Sequence, residues 1–95
     1  MLFRHALGEV IKARRTEQRL TLRQVSGTAR VALGYLSEVE RGHKEISSEL
    51  LDGIANGLGV ETAELILQTG LKMNGVEIPD TAETLLDEYS DLVAR

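Results

Sequence analysis

The sequence predicts an all-α chain: five helices around one small core, a hinge, and an appended C-terminal amphipathic helix. Three observations carry that prediction. Apolar residues recur at spacings of three and four, the period of one helical stripe. Val, Ile and Thr never gather into an alternating run, and the single proline, Pro79, lies late. The 95 residues, 42% apolar and 27% charged, have the balance of one ordinary small domain, which can bury a single modest core.

The elements follow in order. Residues 3–18 place Phe3, Leu7, Val10, Ile11 and the stem of Arg14 on one stripe of a first helix. Thr21 opens a second helix, its hydroxyl accepting from the free amides of the first turn; Leu22, Val25 and Ser26 lead to its end at Ala29. A tight connection through Arg30 and Val31 enters a third helix, roughly 32–41, stopped by Gly42. Ser47 or Ser48 caps a fourth helix carrying Leu50, Leu51, Ile54, Ala55 and Leu58, in which Gly53 and Gly57 each cost about 1 kcal/mol relative to alanine. A short fifth helix follows Gly59-Val60 with Leu65, Ile66 and Leu67. The turn dipeptide Asn74-Gly75 marks the hinge. Asp80, with Glu83 as its capping-box partner, opens a last helix bearing Leu85, Leu86, Tyr89, Leu92 and Val93 on one face. The domain plan is therefore a unit over 1–70, a hinge over 71–80 and a C-terminal helix over 81–95.

Composition excludes several classes. With no cysteine there are no disulfides, thiolate metal sites or thiol catalysis, in keeping with a reducing cytoplasm. No apolar run approaches the ~20 residues that span a bilayer, and Glu9 interrupts the N-terminal segment before a signal-peptide core forms; the expectation is a soluble cytoplasmic protein without a membrane partner. The two histidines, His5 and His43, lie too far apart for a His-x-x-x-His or His-Glu-x-x-His pair, and the glycines form no phosphate-cradling loop. Asp87, Glu88 and Asp91 read as a solvated helix face rather than a cation site. Neither an enzyme nor a metal, cofactor or small-molecule ligand is expected.

The net charge of −4 hides a strong asymmetry. Residues 1–44 hold nine Lys/Arg against four acids, whereas residues 45–95 hold two against eleven. That polarity suits a chain of which one face meets a polyanion, although chance segregation on a solvated surface would look the same.

The informative stretch runs from Thr21 to Gly42. Two short helices joined by so brief a turn must cross steeply. Such a crossing needs a small residue at the approach, Ser26, and apolar anchors beneath: Val25, Ala29, Val31, Leu36 and Val39. The outer face of the third helix, with Ala32, Leu33, Gly34, Tyr35, Ser37, Glu38 and Arg41, is then left free in a form that fits the major groove of B-DNA.

From Leu7 to about Leu67 the sequence resembles the lambda-repressor-like helix-turn-helix family of Cro and phage repressors. Tyr35-Leu-Ser-Glu-Val-Glu-Arg-Gly42, the following Ser-Ser-Glu-Leu-Leu and the earlier Thr-Leu-Arg-Gln-Val-Ser are most similar to its actinobacterial branch of Clp protease gene regulators. The resemblance implies a dimeric transcription factor on double-stranded DNA, an activator of protease and stress genes. An activator also implies contact with RNA polymerase, for which no residue stands out.

The resemblance further implies residue roles. Arg15 and Glu40 match an ion pair tying the first helix to the third. Thr21, Arg41, Gly42, His43 and Lys44 match positions that grip phosphate, contacts that set register and affinity without reading sequence. Leu33, Gly34 and Glu38 match base-reading positions, with Ala32 and Ser37 nearby. Leucine can meet a thymine methyl, glycine permits close approach, and Glu38 can accept from a cytosine amine or instead pair with Arg41 at i+3. Arg30 stands where many members place glycine, so it is expected in an uncommon backbone conformation with its guanidinium toward phosphate. Arg14 replaces a common aliphatic residue and is expected to lay its stem along the core edge. Tyr35 reaches phosphate or packs; phosphate is the favoured reading. The C-terminal helix is expected to dimerise through Leu85, Leu86, Tyr89, Leu92 and Val93, with folding back onto the fifth helix as the alternative. Rival functions are an antitoxin or phage-type repressor, and a protein-interaction module that has lost DNA binding.

Overall fold

The computed structural model describes residues 1–75. The expected C-terminal helix at 81–95, with Leu85, Leu86, Tyr89, Leu92 and Val93, lies outside the described residues. Five helices and no strand occur among the described residues: α1 (Phe3–Glu17), α2 (Leu22–Ala29), α3 (Leu33–Glu40), α4 (Ser48–Leu58) and α5 (Thr62–Met73). None is long and apolar enough to cross a membrane. The all-α expectation holds, and each helix starts within a residue or two of its expected place.

Local chemistry explains the boundaries. Thr21 Oγ1 accepts from the Gln24 amide at 3.0 Å while Gln24 Oε1 accepts from the Thr21 amide at 2.8 Å, a reciprocal capping box. Ser47, rather than Ser48, caps α4 by accepting from the Leu50 amide. Gly59 ends α4 in the left-handed region at φ +70°, where glycine carries no Cβ penalty. Arg30 ends α2 in the same region at φ 59°, ψ 42°, the conformation expected of it.

The core joins all five helices: Leu7, Val10 and Ile11 of α1; Val25 and Ala29 of α2; Leu36 and Val39 of α3; Leu51, Ile54, Ala55 and Leu58 of α4; and Leu65 of α5. Arg14 is buried, its stem along the core and its guanidinium on Glu17 at 2.8 Å. Two expectations are corrected. Phe3 was assigned to the stripe of α1, but it is 39% exposed; the first turn overhangs the bundle, and the buried stripe starts at Ala6. The fifth helix is not short. It runs to Met73, three residues into the segment read as a hinge, because Gln68, Thr69 and Leu71 are buried and Lys72 reaches Glu9 of α1.

Glycines set how closely the helices approach. An added Cβ on Gly8 would lie 2.5 Å from the Val39 carbonyl oxygen and 2.6 Å from that of Glu40, so only glycine lets α1 touch the end of α3. Gly53 and Gly57 play the same part between α4 and α2, facing the carbonyls of Ala29 and Val25. Their propensity cost is what close helix packing requires here.

Gly8→Ala is therefore expected to destabilise by about 1–3 kcal/mol, because backbone carbonyls cannot move aside cheaply. Gly70→Ala, with nothing within 4 Å of its added methyl, should stabilise by up to about 1 kcal/mol through helix propensity. Urea midpoints that move in the same direction for both variants would contradict this account of Gly8.

Candidate nucleic-acid interface

The helix pair α2–α3 is fastened from behind before it offers anything in front. Within the pair, the Ser26 hydroxyl donates to the Val31 carbonyl at 2.6 Å, and the Val31 amide donates to the Ser26 carbonyl at 3.1 Å. Ser26 is thus more than a small residue at the crossing: it closes the turn in both directions. Behind the pair, Arg15 of α1 clasps Glu40 at the last turn of α3, with Nε donating to Oε2 at 2.6 Å and Nη2 to Oε1 at 3.0 Å. Arg15 Nη1 also donates to the Leu20 carbonyl at 2.9 Å, so one guanidinium holds the reversal after α1 as well as α3. The side chains are only 12% and 5% exposed, and the carboxylate's hydrogen bonds push Arg15 upward from its ordinary pKa against the effect of burial.

With Leu36 and Val39 buried, the opposite side of α3 faces outward. Ala32 is its extended N-cap and is exposed; Leu33 is 37% exposed; Gly34 has open space where a Cβ would stand. Ser37 and Glu38 follow one turn on, partly exposed. The expected base-reading residues therefore share one accessible face.

The end of α3 has a definite architecture. Gly42 adopts φ +76°, its amide donates to the Val39 carbonyl at 3.0 Å, and the His43 amide donates to the Glu38 carbonyl at 2.9 Å. This is a Schellman ending, and it folds residue 43 back over residue 38. A Cβ on Gly42 would strike the His5 ring at 2.5 Å. The loop beyond is strapped down by Glu45, whose carboxylate accepts from Arg4 Nη1 at 2.7 Å and whose carbonyl accepts from the Tyr35 hydroxyl at 2.9 Å.

Three of the expected phosphate positions make contacts within the protein. Tyr35 spends its only hydrogen on Glu45 and packs against the core, so it has no donor left for phosphate. Gly42 has spent its amide inside the helix ending and is buried; its part is geometric. His43 holds Glu38 through Nδ1 and keeps only Nε2 facing outward. Arg30 and Lys44, by contrast, are exposed and pair with no carboxylate among the described residues. Thr21 retains its hydroxyl hydrogen, and Arg23, two residues on, is an exposed cation that sequence reasoning passed over.

Glu38 takes both readings left open for it in part. It pairs with Arg41, Nη2 to Oε1 at 2.9 Å, and accepts from His43 Nδ1 on Oε2 at 2.9 Å, while remaining partly exposed on the outer face of α3. The His43 hydrogen bond, aided by the charges of Arg41, His43 and Lys44, holds its carboxyl below the usual range. It is an anion framed by cations.

Comparison with known proteins agrees with this geometry. A family model described as helix-turn-helix matches residues 11–65. The transcriptional regulator ClgR of Mycobacterium tuberculosis is 47% identical over 72 residues, 76% of this chain; the chain spans 64% of that relative's length. The crystal structure of the clp gene regulator ClgR from C. glutamicum superposes with a TM-score of 0.72 at 41% identity, covering 77% of this chain and 95% of that one. The restriction-modification controller protein C.AhdI from Aeromonas hydrophila shares the fold, with a TM-score of 0.64 at 24% identity over 65% of this chain and 94% of that one.

Arg15→Ala would strand the Glu40 carboxylate and is expected to cost about 3–5 kcal/mol of stability. The double variant Arg15→Met, Glu40→Leu, which leaves no buried charge, should recover most of it. A double variant no more stable than Arg15→Ala in chemical unfolding would show that something other than the pair is lost.

Proposed function

The chain belongs to the lambda-repressor-like helix-turn-helix family, and from that premise we propose that it is a sequence-specific DNA-binding transcriptional regulator. The observation that carries the reading is the outward face of α3, open over Leu33 and Gly34 and flanked by the exposed cations Arg30 and Lys44. An α-helix presented in this way fits the major groove, where base edges differ from pair to pair. Lys44 and Arg30, with Arg41 and Thr21, supply the sequence-independent grip on phosphate. Leu33 contacts thymine methyls, Gly34 lets the helix come close, and Glu38 accepts from a cytosine amine. The family is not an enzyme class, and no reaction is assigned to the chain.

The relatives named as regulators of clp genes support the narrower reading that this chain controls protease and stress genes, as an activator that also touches RNA polymerase. It acts as a homodimer on a near-palindromic operator, with recognition helices about 34–36 Å apart, one turn of DNA. The dimer contact proposed is the stripe Leu85, Leu86, Tyr89, Leu92 and Val93.

Selection of bound duplexes from a randomised library at near-physiological salt is expected to enrich an inverted repeat. Lys44→Ala should then weaken binding to operator and random duplexes alike and lower the salt slope by about 1, whereas Leu33→Ala should change the preferred sequence. Retention of no duplex would overturn the proposal. For assembly, Leu85→Glu with Leu92→Glu should give a monomer by light scattering with its helical circular dichroism largely kept; an intact dimer would place the contact elsewhere.

A further inference from the structure

The residues that would be counted as phosphate grips are the ones that hold the base-reading carboxylate. Glu38 carries three rotatable bonds on an exposed helix face, and a free glutamate there would sample many directions. It is instead gripped on both oxygens: Oε1 by Arg41 Nη2 and Oε2 by His43 Nδ1, each at 2.9 Å. Because a carboxylate can only accept, His43 carries its ring hydrogen on Nδ1 toward Glu38. Arg41 is itself steadied by Ser37 Oγ at 3.1 Å.

The tether depends on backbone geometry as well as charge. The His43 amide reaches back to the Glu38 carbonyl only because Gly42 takes a left-handed conformation, and Gly42 is seated against His5 of α1. The ring of residue 43 is thereby brought within hydrogen-bond reach of the side chain five residues earlier. An ionised carboxylate offers about four acceptor positions, of which His43 Nδ1 takes one while Arg41 faces the other oxygen as an ion pair. The rest are left for a donor in the groove.

We propose that Arg41 and His43 are positioning residues for sequence readout, holding the Glu38 carboxylate in one orientation so that it accepts from a cytosine amine and rejects base edges that present only acceptors. This rests on the DNA-binding reading above. Framed by two cationic or donating partners, Glu38 enters the groove as part of a nearly neutralised cluster, which lessens its repulsion from phosphate. What remains is a local acceptor aimed at one base pair. Loss of His43 therefore differs in kind from loss of Lys44, although both remove a polar group from the same loop.

The test measures affinities of the full chain for the selected operator and for every single base-pair substitution in it. Glu38→Gln marks the base pair that Glu38 reads, as the position where discrimination falls about tenfold. His43→Ala should lose discrimination at that same base pair. His43→Asn, whose amide nitrogen can stand in for Nδ1, should restore it. Lys44→Ala should lower affinity for all duplexes by one common factor. A uniform loss for His43→Ala, matching that of Lys44→Ala, would overturn the positioning role while leaving the DNA reading intact. In the free protein, carboxyl resonances followed by NMR should show Glu38 titrating higher in His43→Ala than in the wild type, with His43→Asn between them because the amide restores the hydrogen bond but not the ring charge; an unmoved titration in His43→Ala also overturns the tether. A wild-type chain that binds no duplex removes the DNA reading and the positioning role with it.

Discussion

The clasp between Arg15 and Glu40 is the constraint on which the rest of this small domain depends. It joins the end of α1 to the end of α3 through two hydrogen bonds, and a third from the same guanidinium fixes the chain reversal at Leu20. A charge pair this sheltered is stabilising only while both partners are present, because each ion has given up most of its water. Glu40 also sits at the negative end of α3, where a carboxylate is otherwise unfavourable. The interaction therefore sets position more than it adds stability: with the end of α3 held on α1, the outward rotation of Leu33, Gly34 and Glu38 follows.

That clasp can form only because the helices come close. Gly8 lets α1 lie against the carbonyls of Val39 and Glu40, and Gly53 and Gly57 let α4 lie against α2. A domain of this size has little apolar area to bury, so short interhelical distances, which bring more side-chain atoms into contact, matter more than they would in a larger core. Conformational freedom lost at these glycines is offset by contacts that a side chain at Gly8 or Gly53 would block and one at Gly57 would crowd.

The same economy appears at the end of α3. One left-handed glycine stops the helix, turns the chain toward His5, and folds His43 over Glu38. The loop is then anchored by Arg4 and Tyr35 through Glu45. Arg41, His43 and Lys44 are thus carried on a loop whose path is set by the body of the protein, and the carboxylate between them is met on both oxygens though it faces solvent. Preorganisation of this kind lowers the entropy lost when a partner binds.

Much of this was legible in the sequence. Apolar spacing and stop residues determined five helices, because helical periodicity and left-handed glycines are local properties; Thr21, Gly42, Ser47 and Gly59 act within a turn of their own position. Resemblance carried the Arg15–Glu40 pair, the spacing of small and apolar residues from Thr21 to Gly42 carried the outward face of α3, and the geometry agrees with both. Only the tertiary structure decided what depends on residues distant in the chain: that Phe3 overhangs the core, that α5 extends to Met73 along α1, that Gly8, Gly53 and Gly57 are spacers, and that Tyr35 spends its donor internally. Whether a side-chain donor is free is a question about its neighbours: the Tyr35 hydroxyl is taken by the Glu45 carbonyl, ten residues on, because the loop after α3, strapped to α1 through Arg4, folds back over it, and no helical spacing in the sequence shows that.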